Sequence, residues 1–226
     1  LLVLAAFLVL PPSEGFSAKL GDHWGVARNK EGKVVYTERH RLTRSGDRLV
    51  ASETLYYDAT RKNQIGSMRS DYSRSLQMPT YEFIDSRRNY REGLRFKGGA
   101  YEIYFQDPGK KEEVKKLDDK ASTYSCQGWH YYLLNNLSLL EREDISLKLV
   151  LPGRLDAYEF KISKAKATAS QVVANLEISN WLLRMFAPSL RLVYDKVNKR
   201  LVEYNGVSNI LDPSGETQDV TIRYEY

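Results

Sequence analysis

Some ten to twelve segments of this chain alternate apolar and polar residues with a period of two, and one long stretch among them does not. In the clearest segments Ile145, Leu147, Leu149 and Leu151 share a face opposed by Ser146 and Lys148. Val172, Ala174, Leu176 and Ile178 likewise oppose Asn175 and Glu177, and Val220, Ile222, Tyr224 and Tyr226 oppose Thr221, Arg223 and Glu225. Strands patterned on one face belong to antiparallel sheets that are wet on the other. The exception, residues 126–142, reads C-Q-G-W-H-Y-Y-L-L-N-N-L-S-L-L-E-R and is apolar over most of a helical surface. A helix of that kind has to be enclosed. The predicted fold is therefore mainly β, of the α+β kind: a large curved antiparallel sheet or half-barrel of about 10–12 strands wrapped around one long helix. Asn135, Ser138, Glu141 and Arg142 form the narrow polar stripe of that helix, which predicts a trough rather than a closed can.

Strand signals run from Lys33 to Thr43, turn through residues 44–48 and return over 49–58 as a long hairpin. Further candidates are 65–73, 81–87, 90–97 and 101–107. After a charged connection and the long helix come 145–151, 157–165, 171–179, 190–195, 200–205 extending toward 211, and 217–226. A short second helix is expected over 180–188, capped by Asn180 and stopped by Pro188. No linker and no internal repeat interrupts the pattern, so residues 19–226 form one domain.

Ahead of that domain, ten apolar residues, Pro11-Pro12 and small residues up to Ser17 and Ala18 read as a secretory signal truncated at its start. Cleavage falls after Ser17 or Ala18, and the expected location is periplasmic or secreted. Cys126 is the one cysteine in the sequence, so no internal disulfide forms. An exported chain of this size without disulfides fits a bacterial envelope compartment. The formal net charge is +5, and the excess is local: residues 28–111 carry 18 Lys and Arg against 11 Asp and Glu, residues 112–226 carry 15 against 16. The plain reading is the wet outer face of strands, with an anionic membrane surface as a second partner. No nucleic-acid partner is expected, because no helix-turn-helix, zinc-finger or RNA-binding motif accompanies the charge.

Catalytic and cofactor templates are missing: there is no phosphate-cradling glycine loop, H-E-x-x-H, cysteine pair or G-x-S-x-G. No catalytic residue, metal or cofactor is assigned. Cys126 and His130 lie four apart and share a face of the predicted helix, where a thiolate–imidazole pair would still lack a third group; packing is the favoured reading. Val34, Tyr36, Glu38, His40 and Leu42 share one strand face, and Val35, Thr37, Arg39 and Arg41 the other, more basic one. That pattern turns Glu38 and His40 inward, although a single bulge would reverse them, and Glu53 on the returning strand has the same choice of faces. Inward ionisable groups need partners, and in a cavity they orient a ligand. The candidate ligand-binding residues are therefore Glu38 and His40 for orientation, with Trp129, Leu133, Trp181, Met185, Phe186, Tyr194 and Tyr204 for apolar contact.

The run L-P-G-R-L-D-A-Y-E-F (151–160), the W-L-L-R segment (181–184) ahead of Tyr194-Asp195, and Y-N-G-V-S-N-I (204–210) resemble a group of bacterial envelope proteins. That resemblance implies a location and no activity. More distantly, the architecture is similar to lipoprotein carriers of the LolA/LolB kind, whose half-barrel of antiparallel strands holds acyl chains against helices; Cys126, far from the signal, sets this chain apart from the lipidated LolB. The expectation is an exported, non-enzymatic protein that binds a lipid, acyl chain or other amphipathic ligand between a concave sheet and its helices. The alternative is a structural module with a filled core whose partner is another envelope protein. A hydrolase using Glu38, His40 or His130 is the third and weakest reading.

Overall fold

The computed structural model describes residues 22–118, 122–180 and 189–226. The expected signal lies outside these residues, and so does the body of the expected second helix, with Trp181, Met185 and Phe186. Among the described residues the alternating segments form fifteen strands: β1 (His23–Arg28), β2 (Val34–Ser45), β3 (Arg48–Asp58), β4 (Gln64–Asp71), β5 (Thr80–Asp85), β6 (Tyr90–Lys97), β7 (Ala100–Gln106), β8 (Glu113–Lys116), β9 (Thr123–Tyr124), β10 (Ile145–Leu151), β11 (Asp156–Ala167), β12 (Gln171–Ile178), β13 (Leu190–Asp195), β14 (Arg200–Val207) and β15 (Asp219–Glu225). Two helices, α1 (Gly128–Asn135) and α2 (Leu137–Leu140), fall between β9 and β10.

All strands join in one open sheet in the order β8 to β1, then β15 back to β9. Neighbours are antiparallel except β9, which runs parallel to β10. The sheet is thus a meander whose terminal strands, β1 and β15, zip together in its middle, Ala27 opposite Ile222 and Gly25 opposite Tyr224. Its two edges, β8 and β9, come from nearby stretches of the chain.

The sheet curls until its halves meet. A single 3-10 turn, Pro152–Arg154, lies between β10 and β11 and packs against β6 and β7. Glu92 of β6 accepts hydrogen bonds from the Gly153 backbone and from the Tyr90 hydroxyl, the latter at 2.6 Å, and Lys115 of β8 reaches Asp156 at 2.9 Å. At the other tie, the β4–β5 loop grips the segment after β9. Ser125 N–H donates to the Gln77 carbonyl at 3.3 Å, and Ser125 Oγ donates to the Pro79 carbonyl at 2.6 Å. Gln77 Nε2 returns a bond to the Thr123 carbonyl at 2.8 Å.

Two apolar clusters follow from this curl. One is built mostly on β2–β7 and β15, around Tyr36, Tyr56, Phe83, Leu94, Ile103 and Ile222. The other packs Leu133, Leu137 and Leu140 of the helices onto Ile162, Val172 and Leu192 of the opposite half. Side chains alternate in and out along each strand, so the inner faces of β10, β12 and β15 are those the sequence pattern identifies.

The predicted architecture needs three corrections. Residues 126–142 are not one helix: α1 and α2 break at Asn136 (φ −124°, ψ 26°), whose side-chain amide donates to the Tyr132 carbonyl at 2.7 Å. Adjacent asparagines compete with the helical backbone for hydrogen bonds, and the break lets Leu137 and Leu140 turn into the second cluster. Nor is the sheet wrapped around the helices, which lie along one half of its inner face with Asn135, Ser138 and Arg142 exposed. Finally, three strands carry no readable alternation. β1 presents only Gly25 and Ala27 between its ends on the inner side, β8 reads E-V-K-K and is exposed throughout, and β9 has two residues.

Gly128 opens α1 where the chain passes closest to the β4–β5 loop. A Cβ there would stand 2.1 Å from the Gln77 carbonyl oxygen. Gly128→Ala is expected to cost about 1–3 kcal/mol through this overlap, read as a lower urea midpoint at constant slope. An unchanged midpoint would show that the helix start is not seated on this loop.

Candidate functional site

The strand that carries Tyr36, Glu38 and His40, β2, faces α1 across a gap, and that gap is a cavity of about 860 Å³. Its size suits a small-molecule or single-chain ligand. The apolar wall includes Phe83, Leu151, Ile178 and Leu201, with Trp129 of α1 opposite. All three histidines of the chain, His23, His40 and His130, line it.

Glu38 is 6% exposed, the one carboxylate in the middle of β2. Pairing sets it opposite Gly25 on one side and Tyr56 on the other. His40 lies two residues along the same face; its Nε2–H donates to Glu38 Oε2 at 2.9 Å, and Thr54 Oγ1 lies 3.1 Å from its Nδ1. His23 stacks on His40, ring centroids 4.6 Å apart and planes nearly parallel, and Tyr226 stacks on His23 at 4.4 Å. The imidazole is therefore clamped on both nitrogens and one face. Carboxylate, imidazole and hydroxyl come in the order of a nucleophilic relay, but the hydroxyl end is Thr54, 1% exposed and beyond the reach of a substrate.

Four tyrosines surround Glu38. Burial raises the phenol pKa values of Tyr36, Tyr56, Tyr204 and Tyr224, and the charge of Glu38 raises them further. All four are neutral phenols at any ordinary pH. The hydroxyl of Tyr36 accepts from Ser208 Oγ at 2.9 Å, that of Tyr204 donates to the Val207 carbonyl at 2.5 Å, and Tyr56 bonds the Asn209 side chain. The end of β14 and the two residues after it thus gather three of the four hydroxyls.

Among the expected binding residues, Glu38, His40, Trp129 and Tyr204 line the cavity. Leu133 and Tyr194 do not: both are fully buried in the cluster beneath α1. Trp181, Met185 and Phe186 lie outside the described residues. Glu53 faces away from Glu38, on the side of β3 where it pairs with Arg41 at 3.2 Å and Arg69 at 2.9 Å. Cys126 and His130 do not share a helix face. Cys126 has φ of +45° and precedes α1; its thiol packs against Ser70 Oγ and Met68 Sδ, and burial pushes its pKa up to about 11, which keeps it protonated. His130 turns the other way, toward the Tyr194 hydroxyl at 3.1 Å. Burial first, then the neighbouring His40 and His23, push its pKa down to about 3, so it is neutral.

His23, Tyr36, Tyr56, Tyr224 and Glu92 join the site without having been singled out from the sequence. Tyr36 and Tyr224 were legible as inward positions of alternating strands. His23 sits on β1, which has no pattern to place it, and Ser208 and Asn209 belong to the Y-N-G-V-S-N-I run. Among the described residues, no three His, Cys, Asp or Glu side chains gather as metal ligands, and no helix is long and apolar enough to cross a membrane. In comparison with known proteins, no family model matches the chain, and no curated protein matches it.

His130 makes stability depend on pH. Its folded pKa lies below its ordinary value of 6.5, so between those values the unfolded chain holds more protons. This contribution is intact above pH about 6.5 and is lost as pH falls, by up to about 1.4 kcal/mol per pH unit. Denaturant titrations from pH 7 to 5 should show a shallower decline in His130→Gln than in the unsubstituted protein. Parallel declines would contradict a neutral, buried His130.

Proposed function

We propose that this chain is an exported, non-catalytic carrier that holds an amphiphilic ligand, a lipid or acyl chain, between the inner sheet face and α1. The observation that carries this reading is the cavity itself: about 860 Å³ of space with an apolar wall and a few polar groups gathered around Glu38. Apolar contact supplies affinity in such a site, and the polar groups fix the orientation. The helices occupy one half of the inner face and leave the other to a guest, the division of labour found in carriers of the LolA/LolB kind. A module with a solid interior has no use for this space.

The basic excess of the first half argues for a solvated outer face over a membrane-docking patch. Arg41 and Arg69 pair with Glu53, and Arg95 pairs with Glu102 and Glu112. Surface pairs of this kind add little stability, but they leave less net charge to attract anionic lipid.

Native mass spectrometry and solvent extraction of protein purified from its own source test the proposal. The expected result is an amphiphile at roughly one per chain that is released on unfolding. Protein that is consistently ligand-free contradicts it, and a reproducible protein partner captured by cross-linking would favour the interaction module instead.

A further inference from the structure

The charge at the floor of the cavity is one-sided. The strongest acceptor is Glu38. Its Oε2 is engaged by His40, whereas its Oε1 makes no hydrogen bond among the described residues. The missing side chain of Gly25 leaves the space over β1 to its neighbours: a Cβ there would meet Ile222 Cγ2 at 3.0 Å, Tyr224 Cε1 at 3.1 Å and Glu38 Oε2 at 3.2 Å. Tyr224 and Glu38 therefore converge on one point from strands on either side of β1. Tyr36 and Tyr56 stand beside it with ring centroids 6.2 Å apart, and Tyr204 closes the set. The Tyr204 hydroxyl gives its proton to the Val207 carbonyl, and those of Tyr36 and Tyr56 are held as acceptors by Ser208 and Asn209, so what these residues bring to a guest is aromatic rings and neutral phenols, with no positive charge among them.

Positive charge is correspondingly scarce. Of the cations that border the cavity, Arg41 pairs with Glu53 at 3.2 Å, Lys30 with Asp219 at 3.1 Å, and Arg200 with Asp195 at 3.5 Å while lying over the Tyr226 ring. His40 has both nitrogens occupied and His130 is neutral. A second carboxylate, Glu92, also faces the cavity. An anionic head at Glu38 would be desolvated beside a carboxylate, with Lys30, Arg41 and Arg200 each already beside an acidic partner of its own, an arrangement that burial makes costly. A cationic head would meet a carboxylate in a shielded site, where the attraction is strong, among aromatic rings, a surrounding that suits cations.

We propose that the cavity selects amphiphiles with a cationic head, an amine or quaternary ammonium, and that Glu38 ringed by Tyr36, Tyr56, Tyr204 and Tyr224 is the site that holds it. This rests on the carrier reading and adds the head group to it. The chain of the ligand lies along the apolar wall toward Trp129, and the head lies at Glu38.

Calorimetric titration of delipidated protein at pH 8 decides the matter, with dodecyltrimethylammonium, dodecanol and dodecanoate, each below its micelle concentration. The ammonium should bind at least about tenfold more tightly than the carboxylate, with the alcohol between them. In Glu38→Gln that ratio should fall to within about threefold. Equal or tighter binding of dodecanoate by the unsubstituted protein overturns the head-group assignment and leaves the carrier reading standing. A ratio that survives in a Glu38→Gln protein of unchanged circular dichroism overturns the role of Glu38. Binding of none of the three removes the carrier reading for single-chain amphiphiles, and this inference with it.

Discussion

The pairing of β1 with β15 is the constraint on which the rest of the molecule depends. It joins the two halves of the meander into one sheet and moves the open edges to β8 and β9. It also sets the width of the floor beneath the cavity. β1 places Gly25 and Ala27 on the inner face, so it is a thin strand between two bulky ones. Glu38 from β2 and Tyr224 from β15 lean over it from either side. A larger residue at either position would fill the floor and push the two apart, which is why this strand lacks the alternation that marks the others.

Curvature then divides the interior. Antiparallel sheets twist and coil on their own, and two ties fix how far this one goes: Glu92 to Gly153 across the sheet, and residues 123–125 to the β4–β5 loop. The helices fill the half built from β10 to β13, where Leu133, Leu137 and Leu140 replace solvent over Ile162, Val172 and Leu192. The other half is lined by aromatic rings that pack edge to face, such as Tyr56 against Phe83 at 5.8 Å. Rings of that size brace one another without closing the space between the halves.

Much of this was legible in the sequence, and what was not has physical causes. Ile145, Val172, Val220 and their same-face partners declared their strands because one face is buried and the other wet. Tyr36, Glu38 and His40 were readable as inward for the same reason, although nothing in one strand reveals that tyrosines from three other strands join Tyr36 around its carboxylate. The strands β1, β8 and β9 were hidden because they are thin, charged or two residues long. The apolar run at 126–142 suggested a longer helix than forms, since periodicity counts apolar residues and does not see that Asn136 prefers the carbonyl of Tyr132 to the helical ladder. Leu133 and Tyr194 resembled cavity residues for a related reason: a large apolar side chain on an inner face looks alike whether a ligand or a helix covers it.

The chemistry of the interior is quiet by construction. Cys126 is protonated, His130 is neutral, and His40 is clamped between Glu38, Thr54 and His23, so the groups that carry reactivity elsewhere are here held in place. What the cavity offers a guest is apolar wall, aromatic rings and the carboxylates of Glu38 and Glu92. The most direct measurement is a crystal structure of protein taken from its own source without delipidation. The expected result is continuous elongated density between Trp129 and Glu38, with its polar end on the carboxylate. Density that shows only ordered solvent there, or α1 shifted to fill the space, would contradict it.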